Sequence, residues 1–144
     1  MSDSQGDPVK SENQATEEQQ LVLGKDPIVW NSLALVYLMS GDIDRAKDAI
    51  QRSLEIDTSI STTWGLWGRI LECADDRTNA ERAYRMAAEL QPDSADVLHR
   101  MALLKMQRQD LVGAIEDFSR VLEHSPSDQR VWDHLTACSA ALVI

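Results

Sequence analysis

Residues 30–56 read WNSLALVYLMSGDIDRAKDAIQRSLEI, and residues 64–90 read WGLWGRILECADDRTNAERAYRMAAEL. Set one beneath the other, the two stretches agree in phase at an offset of 34 residues. Trp30, Trp64, Leu98 and Trp132 form one column, and Ala46, Ala80 and Ala114 a second. Ile50, Tyr84 and Phe118 form a third, and Leu54, Ala88 and Leu122 a fourth. Pro92 and Pro126 share a phase, with Thr58 at the equivalent place one period earlier. Heptads alone do not produce agreement of several unrelated columns on one period. A fixed period of this length marks stacked structural repeats.

Each period holds two helical patterns. Trp30, Leu33, Ala34 and Tyr37 form an i, i+3, i+4, i+7 stripe over 27–40, which Gly41-Asp42 interrupts. Ile43, Ala46, Ala49, Ile50 and Leu54 resume the stripe over 43–56. The same spacing predicts helices at about 61–74, 77–90, 95–108, 111–124 and 129–142. Asp93-Ser94 and 125–128 supply breaks and caps. No segment alternates as a strand would, so the expected fold class is all-α. Small residues recur where paired helices must cross closely: Ala34, Gly68 and Ala102 on the first helices, and Ala46, Ala80 and Ala114 on the second. Trp30, Trp64 and Leu98 are expected to fill the space between neighbouring pairs, so that truncating such a tryptophan would cost about 3–5 kcal/mol.

These columns resemble the tetratricopeptide repeat (TPR), whose pattern runs W-x2-L-G-x2-Y and then A, F, A and P. The first copy matches at Trp30, Leu33, Ala34, Tyr37, Ala46, Ile50 and Leu54. The second matches at Trp64, Gly68, Leu71, Ala80, Tyr84, Ala87 and Pro92, and the third at Leu98, Ala102, Ala114, Phe118, Val121 and Pro126. Lys105 departs from the pattern by replacing the aromatic of copy three, and Asp75 and Gln109 replace the turn glycine. The resemblance covers 27–144. It implies a right-handed helical-repeat solenoid of antiparallel helix pairs: repeats at about 27–60, 61–94 and 95–128, then a single helix at 129–144. It is specific for fold and weak for function.

The expected domain plan is an acidic, largely disordered tail over 1–24 and a TPR domain over 25–144. Ser11-Glu12-Asn13-Gln14 has the form of a capping box and Gly24 that of a stop, so a short helix at 12–23 fits the tail. Its Leu21-Val22-Leu23 end offers a cover for the first repeat helix, which carries apolar residues almost all round.

The chain of 144 residues carries a formal charge of -10. That balance opposes nucleic-acid binding and docking on anionic membranes. No apolar run approaches the roughly 20 residues that span a bilayer, and no secretory signal opens the sequence. Cys73 and Cys138 are far apart and without a CxxC partner, which suits free thiols in a reducing, cytoplasmic setting. They read as two half-buried helix cysteines.

The resemblance also implies that the first helix of each pair lines a concave groove that takes a peptide or partner helix. The implied groove positions are Asn31, Leu35 and Leu38, then Arg69 and Glu72, then His99, Arg100, Leu103 and Met106, then Arg130 and His134. Leu35, Leu38, Leu103 and Met106 would make apolar contacts. Asn31, Arg69, His99, Arg100 and His134 would orient the ligand. An arginine can grip a carboxylate with two hydrogen bonds, which favours an acidic group in the peptide. The plainer alternative is that Arg69, Arg100 and Arg130 pair with Glu72, Asp96 and Asp133 and keep the groove solvated. Arg69→Glu with Arg100→Glu is expected to weaken a partner without unfolding the chain. Some family members clamp a chaperone's C-terminal carboxylate. Of the matching positions Asn31, Leu35, Leu66, Asp96 and Arg100, only Arg100 fits, so that activity is not expected.

The last helix raises a second functional reading. Val131, Leu135, Cys138 and Leu142 would meet a further helix in a complete repeat, so they are candidates for homo-oligomerisation through the apolar ends of the solenoid. The alternative is that this helix is itself the cap, or that the abrupt end belongs to a longer protein. Replacing Leu135 and Leu142 by Lys would test it. A metal held by His99, His134 and Cys73 or Asp96 lacks supporting spacing. No phosphate loop, GxSxG or HExxH occurs, so neither a cofactor nor catalysis is expected.

Overall fold

The computed structural model describes residues 24–143. The expected tail and its helix at 12–23 lie outside the described residues, as does Ile144. Within them run seven helices and no strand. They are α1 (Pro27–Met39), α2 (Ile43–Ile56), α3 (Ser61–Cys73), α4 (Arg77–Leu90), α5 (Ala95–Gln107), α6 (Leu111–His124) and α7 (Gln129–Val143). No helix end departs from the sequence expectation by more than one residue. The described residues divide into two compact units, one up to Asp57 and one from Thr58.

The joints explain why the pairs form. Gly41, Asp75 and Gln109 sit one period apart and all adopt positive φ, at 82°, 60° and 67°. This left-handed residue ends each first helix. It lets the next amide reach back over a full turn: Asp42 N–H donates to the Tyr37 carbonyl, Asp76 to Leu71 and Asp110 to Lys105, at 2.8–2.9 Å. The same three aspartates then cap the second helices, each carboxylate accepting from the amide three residues on. Aspartate and glutamine are strained there relative to glycine, so pairs two and three carry a cost that pair one avoids.

In the first unit, α1 and α2 close on Ala34, Ala46, Ala49 and Ile50, all buried. The Ser53 hydroxyl donates to the Pro27 carbonyl at 3.0 Å, tying the end of α2 to the start of α1. In the second unit Ser61 and Ala87 occupy the matching columns with the roles exchanged, Ser61 Oγ donating to the Ala87 carbonyl at 3.2 Å. The core of the second unit falls into two clusters. One gathers Leu71, Ala80, Tyr84, Val97, Met101 and Leu104, and the other gathers Leu98, Ala102, Phe118, Val121, Val131 and Cys138.

The tryptophan column fills space between neighbouring pairs only in part, Trp64 packing against the first of these clusters, and it does a second job as well. Trp30 and Trp64 are only partly buried, and Trp132 is 45% exposed. In each, the indole N–H donates to the carbonyl six residues earlier: Trp30 to Gly24, Trp64 to Thr58 and Trp132 to Pro126, all at 2.8 Å. The indole therefore fastens the connection that enters its helix. Leu98 has no such donor and is buried instead. A ring with one apolar side and one polar N–H suits a half-wet joint better than a closed core.

Candidate functional site

The implied groove residues fall in both units. Asn31, Leu35 and Leu38 belong to α1 of the first, where Asn31 and Leu38 are half-buried and Leu35 is exposed. In the second unit, side chains from α3, α5 and α7 meet directly. Glu72 on α3 lies 3.6 Å from an Arg100 guanidinium nitrogen on α5, and Arg100 Nε lies 3.4 Å from Asp96. His99 on α5 packs edge-on to His134 on α7, with ring centres 5.9 Å apart.

Two residues of the second helices enter this row, and sequence reading did not place them there. The Tyr84 hydroxyl, from α4, donates to Glu72 Oε2. Burial, then the hydrogen bond and charge of Glu72, push the Tyr84 phenol far above its ordinary range, so it remains a neutral donor. Phe118, from α6, stacks on His134 with centres 5.4 Å apart and meets His99 edge-on at 5.8 Å. The available signal was the column Ile50, Tyr84, Phe118: a buried tyrosine must find a partner for its hydroxyl. Gly68 makes room for it. A Cβ at that position would stand 2.5 Å from the Tyr84 ring, so the close crossing expected at this column is realised there.

His99 is the least settled group of the row. Its Nε2 is buried and has no hydrogen-bond partner among the described residues. Burial, followed by the charges of His134 and Arg130, holds its pKa below that of a free imidazole. The neutral ring therefore keeps one polar atom unpaired inside the row.

The other candidates differ in how much of their surface is free. Leu103 and Met106 are half-buried and pack against the Phe118 cluster, so much of their surface is already used. Arg130 is exposed and pairs loosely with Asp128 at 3.6 Å, whereas Asp133 accepts from Gln129. Arg69 is half-buried. Arg100→Glu is not the surface change it was expected to be, because it would set a third carboxylate beside Glu72 and Asp96.

The end-association set also needs correction. Val131 and Cys138 are fully buried against α6, because α7 turns that face inward. Leu135 is half-buried on the same cluster. Of the four candidates only Leu142, at 50% exposure, faces solvent. The two cysteines likewise divide: both are free thiols, but Cys73 is exposed and Cys138 buried. Burial raises the Cys138 thiol pKa.

Lys105, the departure from the TPR pattern, has a partner. Its amine lies 2.8 Å from Asp117 on α6, with the two side chains 16% and 5% exposed. Among the described residues, no group of three His, Cys, Asp or Glu side chains is arranged to hold a metal ion. Among them, too, no helix is long and apolar enough to cross a membrane.

Comparison with known proteins places this architecture. Residues 26–136 match the family model of the tetratricopeptide repeat protein 21 C-terminal ARM domain. The N-terminal acetyltransferase A complex auxiliary subunit NAA15 of Arabidopsis thaliana is 25% identical over 114 residues, covering 77% of this chain and 13% of that protein. The chain thus spans a small part of such a relative. The structure of the first TPR of Spaghetti (RPAP3) bound to the HSP90 peptide SRMEEVD superposes with a TM-score of 0.79 at 21% identity, covering 84% of this chain and 96% of that one. The Yersinia enterocolitica type III secretion chaperone SycD, in complex with a peptide of the translocator YopD, gives 0.71 at 18% identity, covering 78% and 91%. At these identities the structural likeness speaks for the fold. With the 34-residue columns, the seven helices and the family match over most of its length, the chain belongs to the TPR-type repeat family of the tetratricopeptide repeat protein 21 C-terminal ARM domain.

Proposed function

We propose that this protein is a non-catalytic, cytoplasmic interaction module, and that the α3–α5–α7 face of the second unit binds a peptide or partner helix. The observation that carries this reading is the row Arg69, Glu72, Arg100, His99, His134 and Arg130. It presents exposed and half-buried polar groups beside aromatic rings, with one buried imidazole nitrogen left without a partner. Two proteins of the same fold are seen with peptides bound, which supports the same use here. On α1 of the first unit, Leu35 and Leu38 are read as apolar contact surface and Asn31 as a polar group that orients the ligand. A charge of -10 weighs against nucleic acid as the partner.

The test is a random peptide library panned against the whole chain, followed by affinity measurement of an enriched peptide by fluorescence anisotropy. Arg69→Glu with Arg130→Glu should weaken that peptide at least tenfold at an unchanged melting temperature. Enriched peptides that ignore this pair of changes would contradict the assignment.

A second reading rests on α7. Leu142 and Val143, in the last turn of α7, are 50% and 88% exposed, which suits self-association through this end. Light scattering over a wide concentration range should then show multiples of 16.1 kDa that Leu142→Lys abolishes. A steady monomer would remove this reading. Leu135→Lys is unsuitable, since it would disturb the core behind α7.

A further inference from the structure

A second polar site lies away from that row, within the second unit between α4 and α5. A pocket of about 450 Å³ is walled by Arg77, Arg82, Arg85 and Arg108, with Glu81 among them and the buried Leu104 at its base. Four of the chain's fourteen basic residues thus face one cavity of a protein whose net charge is -10. Their spacing is helical: Arg77, Glu81 and Arg85 follow at intervals of four on α4, with Arg82 adjacent.

The ion pairs inside the pocket leave cationic capacity unused. Arg108 grips both oxygens of Glu81, Nε to Oε2 at 2.9 Å and Nη2 to Oε1 at 2.8 Å, and also lies 3.2 Å from Asp110. Arg85 reaches the same Glu81 oxygen only at 3.6 Å, so one carboxylate serves two guanidiniums. Arg77 stands 3.6 Å from an exposed Asp75, a pairing of small worth in water. Arg82 is exposed and has no ion pair among the described residues. Each arginine can hold a carboxylate bidentately, and the four guanidiniums outnumber the carboxylates that touch them, Glu81 inside the pocket and Asp75 and Asp110 beside it.

We infer that this pocket is a docking site for an acidic peptide segment. Geometry favours a peptide over a single small anion. Arg77 and Arg85 are eight residues apart on α4, about 12 Å along the helix axis. An extended chain covers that span in about four residues, so two or three alternate or adjacent carboxylates can each reach a guanidinium. Leu104 supplies an apolar floor for the stems between them. The site is independent of the α3–α5–α7 face and shares none of the residues proposed to bind there.

The probe is fluorescein-labelled hexaglutamate, titrated with the full chain and read by anisotropy, with hexaglutamine and a labelled oligo-dT as controls. Hexaglutamate should bind, more weakly as salt rises, and hexaglutamine should not. Arg77→Glu with Arg82→Glu, both exposed, should cut the affinity at least tenfold. The neutral pair Arg77→Gln with Arg82→Gln should give an intermediate loss. Arg69→Glu should leave it within twofold, which separates this site from the peptide face. A flat titration, an affinity insensitive to both pairs, an equal loss in Arg69→Glu, or tighter binding of oligo-dT would each overturn the inference.

Discussion

The second and third helix pairs occupy the same columns and solve the same packing problem in different ways. In the second, α3 and α4 cross at Gly68, with Leu71 and Ala83 buried beside the crossing and Tyr84 sending its hydroxyl out to Glu72. In the third, α5 and α6 cross at Ala102. Lys105 and Asp117 stand where Leu71 and Ala83 stood, and Phe118 lies under the histidines. One pair keeps these two columns apolar and places the Tyr84 hydroxyl contact at the edge facing the candidate site. The other carries an ion pair inside and lines the site with rings. A repeat therefore preserves volumes and helix crossings, while the chemistry within a column is free to change where a buried charge such as Asp117 gains a partner of opposite sign.

The sharpest way to break this symmetry is Lys105→Ala. Removing the amine strands a buried carboxylate, at a cost of about 3–5 kcal/mol. Lys105→Leu with Asp117→Ala, which copies pair two into pair three, should recover most of that loss. Denaturant unfolding of the single and double variants checks both. A double variant as unstable as the single would show that the ion pair is not a replacement for the apolar contact.

Gly68→Ala comes next. Its new methyl meets the Tyr84 ring, and overpacking of this kind costs about 1–3 kcal/mol, offset by about 1 kcal/mol of helix propensity. Tyr84→Ile, the residue of the first pair, should make the Gly68→Ala change nearly neutral. Thermal unfolding of the four proteins gives the coupling. Asp75→Gly and Gln109→Gly should each stabilise by about 1 kcal/mol, because each relieves a left-handed residue at equivalent joints. Unequal gains would mean that the two joints are not equivalent.

The smallest effect concerns pH. A folded His99 with a lowered pKa binds its proton later than the unfolded chain does. Its contribution is therefore intact above about pH 6.5 and falls as acid carries the pH through that value towards the lower folded pKa. His134, Arg130, Asp128 and Asp96 are the charged groups that face it. His99→Asn should flatten the drop in stability between pH 7.5 and 5.5, measured by urea unfolding at both values. An unchanged drop would assign it to other groups.

Helix positions and fold were legible because the 34-residue columns state them several times over. The close crossings were legible too, since Ala34, Gly68 and Ala102 can serve few other ends. What periodicity does not show is how far a long side chain reaches. Trp64 stands in a core-like column, yet its indole fastens a loop. Lys105 breaks the aromatic column, and its partner Asp117 stands twelve residues on, in a different column. Tyr84 belongs to a second helix and still reaches the first-helix face, and Arg108 closes the arginine pocket from another segment. Val131 and Cys138 count as apolar surface in the sequence, which does not show which side of α7 turns inward. These are contacts between columns, and a single column carries no record of them.

The most direct measurement is a proton–nitrogen correlation spectrum of the full chain, titrated with a peptide selected from the library. The account predicts that the largest shifts fall on Arg69, His99, Arg130 and His134, together with the Trp-anchored starts of α3 and α7. Shifts confined to α2, or to the outer face of α6, would contradict the claim that the α3–α5–α7 face is where this protein meets its partner.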